Sequence, residues 1–150
     1  MADAATISIT ATMLPDEIAK TMTGSMAVTP SELDANHKWY YKLTSVSNGS
    51  TDLMAGYFTD YLAIDDDTAP IAITTSDTVA FLFIQNTDAS NLVYLNWNGA
   101  AAAAAGNLYV GAGETWYGRL GVTLVGGLHA ISSASTVTCI VAALIDDTSV

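Results

Sequence analysis

The residues able to do chemistry are few and scattered. His37 and His129 are the two histidines of a 150-residue chain that is otherwise rich in Ser and Asp. A nucleophilic serine needs a sharp turn, yet no Gly-x-Ser-x-Gly stretch is present, and Gly24-Ser25 runs on into Met26. His129 alternates with apolar neighbours in Leu128-His129-Ala130-Ile131, the pattern of an outward or subunit-facing strand residue rather than a general base. His37 precedes an aromatic strand with no partner in view. Asp65-Asp66-Asp67 is the densest acidic cluster and Asp146-Asp147 the second. Oxygen ligands on a loop suit Ca²⁺, but EF-hand spacing and its terminal Glu are missing. Acidic loops are ordinarily solvated, so no metal is expected, with Asp65, Asp66 and Asp67 the first place to look for one. Gly111-Ala112-Gly113-Glu114 lacks the Lys of a phosphate-cradling loop and opens a strand, not a helix. Glu17, Glu32 and Glu114 are the only glutamates, and none sits where paired glycosidase carboxylates would.

Cys139 is the single cysteine, which excludes an intrachain disulfide and a Cys-based zinc site. It alternates within Ser135–Val141 as a small core residue would, and a reactive thiol would want a cation nearby. Nothing here assembles a catalytic constellation. The expectation is a protein that is not an enzyme and needs no cofactor.

The aromatic residues are more suggestive. Trp39, Trp97 and Trp116 join seven Tyr and three Phe. Such rings fill cores and subunit interfaces. Alternatively, Trp97 or Trp116 could stack on sugar rings, which makes a carbohydrate-binding module the rival from another functional class. Lys38, Tyr40 and Lys42 share one strand face, so two of the four cationic residues flank a ring. That face is either solvated or meets an acidic neighbour. The candidate interface residues are therefore Trp39, Tyr41, Trp97 and Trp116, with Lys38 and Lys42 beside them.

The elements that must position these residues read as β. Thr, Val, Ile and aromatics are plentiful, and turn residues recur at short intervals. Strands are expected at 5–13, 25–29, 38–47, 71–74, 78–85, 92–97, 107–110, 114–120, 128–132 and 136–145, with one or two more within 53–64. Asn48-Gly49 signals a hairpin, and Ser133-Ala134-Ser135 joins the closing pair. Residues 14–20, with Pro15 early and acids in the first turn, form the one short helix expected. The Ala100–Ala105 run, bracketed by Gly99 and Gly106, is too short to nucleate a helix alone and reads as a loop.

One domain spanning 1–150 is expected, an all-β antiparallel β-sandwich that is jelly-roll-like in strand count. Strands such as Val79–Ile84 and Leu92–Trp97 are apolar on both faces, whereas a solvated sandwich strand alternates. Something must cover the second face, and another copy of the chain is the simplest cover.

Composition narrows the partners. Four Lys plus Arg against fifteen Asp plus Glu gives 4 − 15 = −11. That field repels phosphate backbones and argues against nucleic-acid binding. The chain is no acidic tail either, at 51% hydrophobic and 13% charged residues. The first residues lack the basic and apolar regions of a signal peptide, and no apolar run approaches a membrane span. Synthesis in the cytoplasm and no membrane partner are expected.

Residues 78–145 carry a resemblance. Val79-Ala80-Phe81-Leu82-Phe83-Ile84-Gln85-Asn86-Thr87, Leu92-Val93-Tyr94-Leu95-Asn96, Gly111-Ala112-Gly113-Glu114-Thr115-Trp116 and Leu128-His129-Ala130-Ile131-Ser132-Ser133 follow one another. This succession of a strand ending in Asn-Thr, a second strand, a Gly-x-Gly-Glu-x-Trp turn and a closing hairpin resembles small virion proteins of tailed bacteriophages. Capsid decoration (cement) proteins are the nearest in style, with tail, adaptor or fibre components as the alternative. The resemblance implies a homotrimer on the outer head surface of the virion, made in the host bacterial cytoplasm, that bridges major capsid subunits. It carries over no individual functional residue.

Overall fold

The computed structural model describes residues 5–13, 20–29, 37–56, 72–97, 99 and 108–148. The chain divides into two compact units, Met1–Ala35 and Asn36–Val150. The first holds an antiparallel pair, β1 (Ala5–Met13) and β2 (Lys20–Val28), in unbroken register from Ala5 opposite Val28 to Met13 opposite Lys20. β2 is longer than the 25–29 stretch expected, because Thr and Ser at alternate positions extend it toward Lys20. The expected helix falls at 14–19, outside the described residues, apart from Lys20, which opens β2.

The second unit is built from β3 (His37–Val46), β4 (Thr51–Asp52), β5 (Thr78–Asn86), β6 (Val93–Asn96), β7 (Leu108–Val110), β8 (Thr115–Arg119), β9 (His129–Ser132) and β10 (Val137–Asp146). They form two four-stranded antiparallel sheets, ordered β3-β10-β5-β8 and β4-β9-β6-β7. First pairs with last, second with next to last, and so inward to the β6–β7 hairpin. The second unit is therefore one long hairpin, rolled so that β10 also meets β5 and β9 also meets β6. All ladders are antiparallel, and the fold is all-β and β-sandwich-like.

Rolling explains two departures from the sequence expectation. Asn48-Gly49 is not a hairpin turn between paired strands, since β3 and β4 lie in different sheets. Ser47 and Thr51 tie that turn together through their hydroxyls at 3.1 Å, while the Ser47 carbonyl accepts the Ser132 amide at 2.8 Å. Likewise β9 and β10 are not a closing hairpin, because the Ser133–Ser135 link carries the chain across the core to the other sheet.

Alternation decides the inner faces. Tyr40 and Val46 of β3, Leu82 and Ile84 of β5, Val93 and Leu95 of β6, and Cys139, Val141, Ala143 and Ile145 of β10 form the shared core. A bulge between Leu144 and Ile145 in the β10–β5 ladder lets Val79 also point inward, although it is an odd number of residues from Leu82. Among the described residues the only helical element is one 3-10 turn at Val125–Gly127. No helix among them is long and apolar enough to cross a membrane.

Candidate functional site

Three central rows of side chains on the outer face of the β3-β10-β5-β8 sheet are read across the strand registers. Trp39, Leu144, Phe81 and Arg119 form one row, and Tyr41, Ala142, Phe83 and Tyr117 the next. Leu43, Ile140, Gln85 and Thr115 form the third. These twelve residues include no carboxylate and a single cation, Arg119, in a chain with fifteen acids. The next row of the same face sets His37 opposite Asp146, so Asp146 borders the patch. Phe81 and Leu144 are buried, but Tyr41 is 54% and Leu43 59% exposed. The double-sided apolar pattern of β5 thus has a structural meaning. One side fills the core, and the other belongs to this apolar sheet face.

The predicted interface residues separate. Trp39 and Tyr41 lie on the outer face, as the alternation of β3 required. Trp97 and Trp116 instead pack against the core and lean on one another, ring centroids 6.3 Å apart at 33°. Gly118 makes room for them, since a Cβ there would meet the Trp116 ring at 3.1 Å. Lys38 belongs to the opposite, inner side of β3, so the expected outward cationic row is not met at that residue. It is buried, and its Nζ donates to Asp147 Oδ2 at 2.6 Å; the acidic surface it meets is the chain's own. Lys42 Nζ donates to the Ala55 carbonyl at 2.9 Å, and the Tyr40 hydroxyl reaches the same oxygen at 3.5 Å. Burial pushes the Tyr40 phenol above its ordinary range.

The outer face of the second sheet has a different character. Tyr94 lies opposite Tyr109 on one side and Ile131 on the other, while His129 lies between Asp52 and Asn96. Ser50 Oγ is 3.1 Å from His129 Nδ1. The Asp52 carboxylate accepts the Met54 amide through Oδ1 at 3.0 Å. Sequence reasoning missed Tyr94 and Tyr109 as candidates, and it placed Leu43 beside Tyr41 and Asp147 in an acidic cluster without giving either a role. Tyr41 and Leu43 share a face by simple alternation, which was available. The Tyr94–Tyr109 pairing depends on a register that no local signal encodes.

Burial raises the Cys139 thiol to about 11, as expected of an inert core residue. Among the described residues no group of three or more His, Cys, Asp or Glu is placed to hold a metal ion. Asp65, Asp66 and Asp67 lie outside the described residues, as does the Ala100–Ala105 run.

The motifs that carried the resemblance do structural work. Buried Asn86 ends β5 and donates through Nδ2 to the carbonyls of Asn91, Val110 and Gly111 at 2.7, 3.3 and 3.1 Å. The Thr87 hydroxyl donates to the Thr138 carbonyl at 2.7 Å. In the Gly-x-Gly-Glu turn, Glu114 Oε2 accepts the Gly111 amide at 2.9 Å. A Cβ at position 111 would fall 2.5 Å from that oxygen. Gly113 adopts φ +71°, in the left-handed region that favours glycine. The Asp88 carboxylate, held by the amides of Asn91 and Ser90, stays ionised below its ordinary range.

No known protein family matches the chain, and comparisons with curated proteins and with solved structures likewise found no match.

Proposed function

We propose that this chain is a non-enzymatic virion protein of a tailed bacteriophage. In this reading it is a capsid decoration protein that forms a homotrimer, binds the outer head surface and bridges major capsid subunits. The rolled hairpin of its second unit is then a jelly roll.

The observation that carries the reading is the apolar patch of half-buried Trp39 with exposed Tyr41 and Leu43, where no carboxylate shares their three rows, on a chain of net charge −11. Copies of so acidic a body repel one another, and so does an acidic partner. They approach most readily where charge is absent and apolar area is gained, at about 25 cal/mol per Å² removed from water. A shell protein works through such whole surfaces, and repetition over a capsid turns modest contacts into avidity. The resemblance over residues 78–145 supplies the virion context.

Native mass spectrometry of the purified chain tests this. The expected species is a trimer near three times 15.6 kDa that co-sediments with expanded capsids. Leu43→Asp should give a folded monomer that no longer sediments with them. Trp97→Asp, which places a charge against the core, should instead unfold the chain. A wild-type monomer that ignores capsids would sink the proposal.

A further inference from the structure

We propose that the outer face of the β4-β9-β6-β7 sheet is a binding surface for a neutral oligosaccharide. Its place in the fold makes it independent of the apolar face described above.

Two adjacent rows define the surface. Along β6, Val93 and Leu95 fill the core, so Tyr94 and Asn96 point outward. Tyr109 stands across from Tyr94, and their ring centroids are 6.4 Å apart at 57°. Tyr109 keeps 60% of its surface in water, with its ring tilted against that of its neighbour. One register step of two residues further, roughly 6.6 Å along the strand, comes the polar row of Asp52, His129 and Asn96. Ser50 Oγ at 3.1 Å from Nδ1 fixes the His129 ring. The Asn96 amide is likewise anchored, donating to the Gly99 carbonyl at 3.2 Å.

The chemistry of the two rows selects the ligand. A sugar ring offers a C–H face, which packs on the electron-rich face of a tyrosine. Its edge carries hydroxyls that both donate and accept. A row containing a carboxylate, an imidazole and an amide presents both kinds of partner to such an edge. No lysine or arginine belongs to either row, and the chain carries −11, so phosphates, nucleic acids and acidic polysaccharides are repelled. A neutral glycan is not. The stacking platform is thus formed by tyrosines, whereas Trp97 and Trp116 are engaged with the core.

The test titrates the full chain with maltohexaose, cellohexaose and the hexamer of N-acetylglucosamine, followed by amide NMR shifts and tyrosine fluorescence. At least one should bind in the micromolar to millimolar range, with shifts centred on Tyr94, Asn96, Tyr109 and His129. Tyr109→Ala should weaken it about tenfold, roughly the stacking of one ring. Tyr109→Phe should retain binding to within about twofold, since the ring face remains. Thr138→Ala, on β10 of the other sheet, should bind as the wild type does. Absence of binding by all three sugars, shifts centred elsewhere, or undiminished binding by Tyr109→Ala would overturn the proposal. The oligomeric state of the same samples reports separately on the decoration reading.

Discussion

Lys38 and Asp147 form a buried ion pair, with side chains 6% and 0% exposed and a contact of 2.6 Å. Removing two charges from water is costly, and their attraction offsets that cost only while both are present. Deleting one partner removes that compensation for the other. Asp147→Asn should therefore destabilise the chain by about 3–5 kcal/mol. The double variant Lys38→Met with Asp147→Leu should recover most of that loss. Urea unfolding checks this, read as a lowered midpoint at unchanged slope for the single variant and a restored midpoint for the double. The same pair shows why one candidate interface residue was misplaced. Lys38-Trp39-Tyr40-Tyr41-Lys42 alternates clearly, but both faces carry large rings, so hydropathy alone favours the lysine side for solvent. The partner that turns Lys38 inward is 109 residues away, beyond any local signal.

At the scale of elements, strand existence was legible and strand partnership was not. β1, β3, β5 and β10 lie within a residue or so of the stretches that alternation picked out, because ten-residue runs of Thr, Val, Ile and aromatics have few other uses. The turns at 48–49 and 133–135 look like hairpins in the sequence because turn chemistry encodes reversal, while the choice of neighbour is made by the rolled hairpin as a whole. The outer apolar face was half legible: Trp39 and Tyr41 came from alternation, but the rows beside them needed the β10 and β5 registers. Asn86 is where this nonlocal order is concentrated, since one amide joins the end of β5 to the carbonyls after β7 and in the 86–91 turn. Asn86→Ala leaves those buried carbonyls without their donor. The expected loss is about 2–3 kcal/mol, at the upper end for an unsatisfied buried polar group. Thermal unfolding should show it as a lowered midpoint. Asn86→Asp should do no better, because a carboxylate supplies no donor to the three carbonyls.

The whole molecule is governed by its charge. At −11, each copy repels the next over distances set by the Debye length, about 30 Å at 0.01 M salt and about 10 Å at 0.1 M. If copies join through the apolar side chains of Trp39, Tyr41 and Leu43 alone, no attractive ion pair is lost when salt is added, and only the long-range repulsion is screened. Self-association should therefore tighten as salt rises from 0.01 to 0.1 M. An interface made by Lys42 or Arg119 against a neighbour's carboxylates would behave oppositely, weakening over the same range. Sedimentation velocity on a dilution series at each salt concentration separates the two. The Leu43→Asp variant sharpens the comparison, because it adds charge where the wild type has none. Its residual association should depend on salt more steeply than that of the wild type. Tightening with salt in the wild type, together with that steeper dependence, is the signature of an acidic body that meets its own kind through an apolar patch of one sheet face.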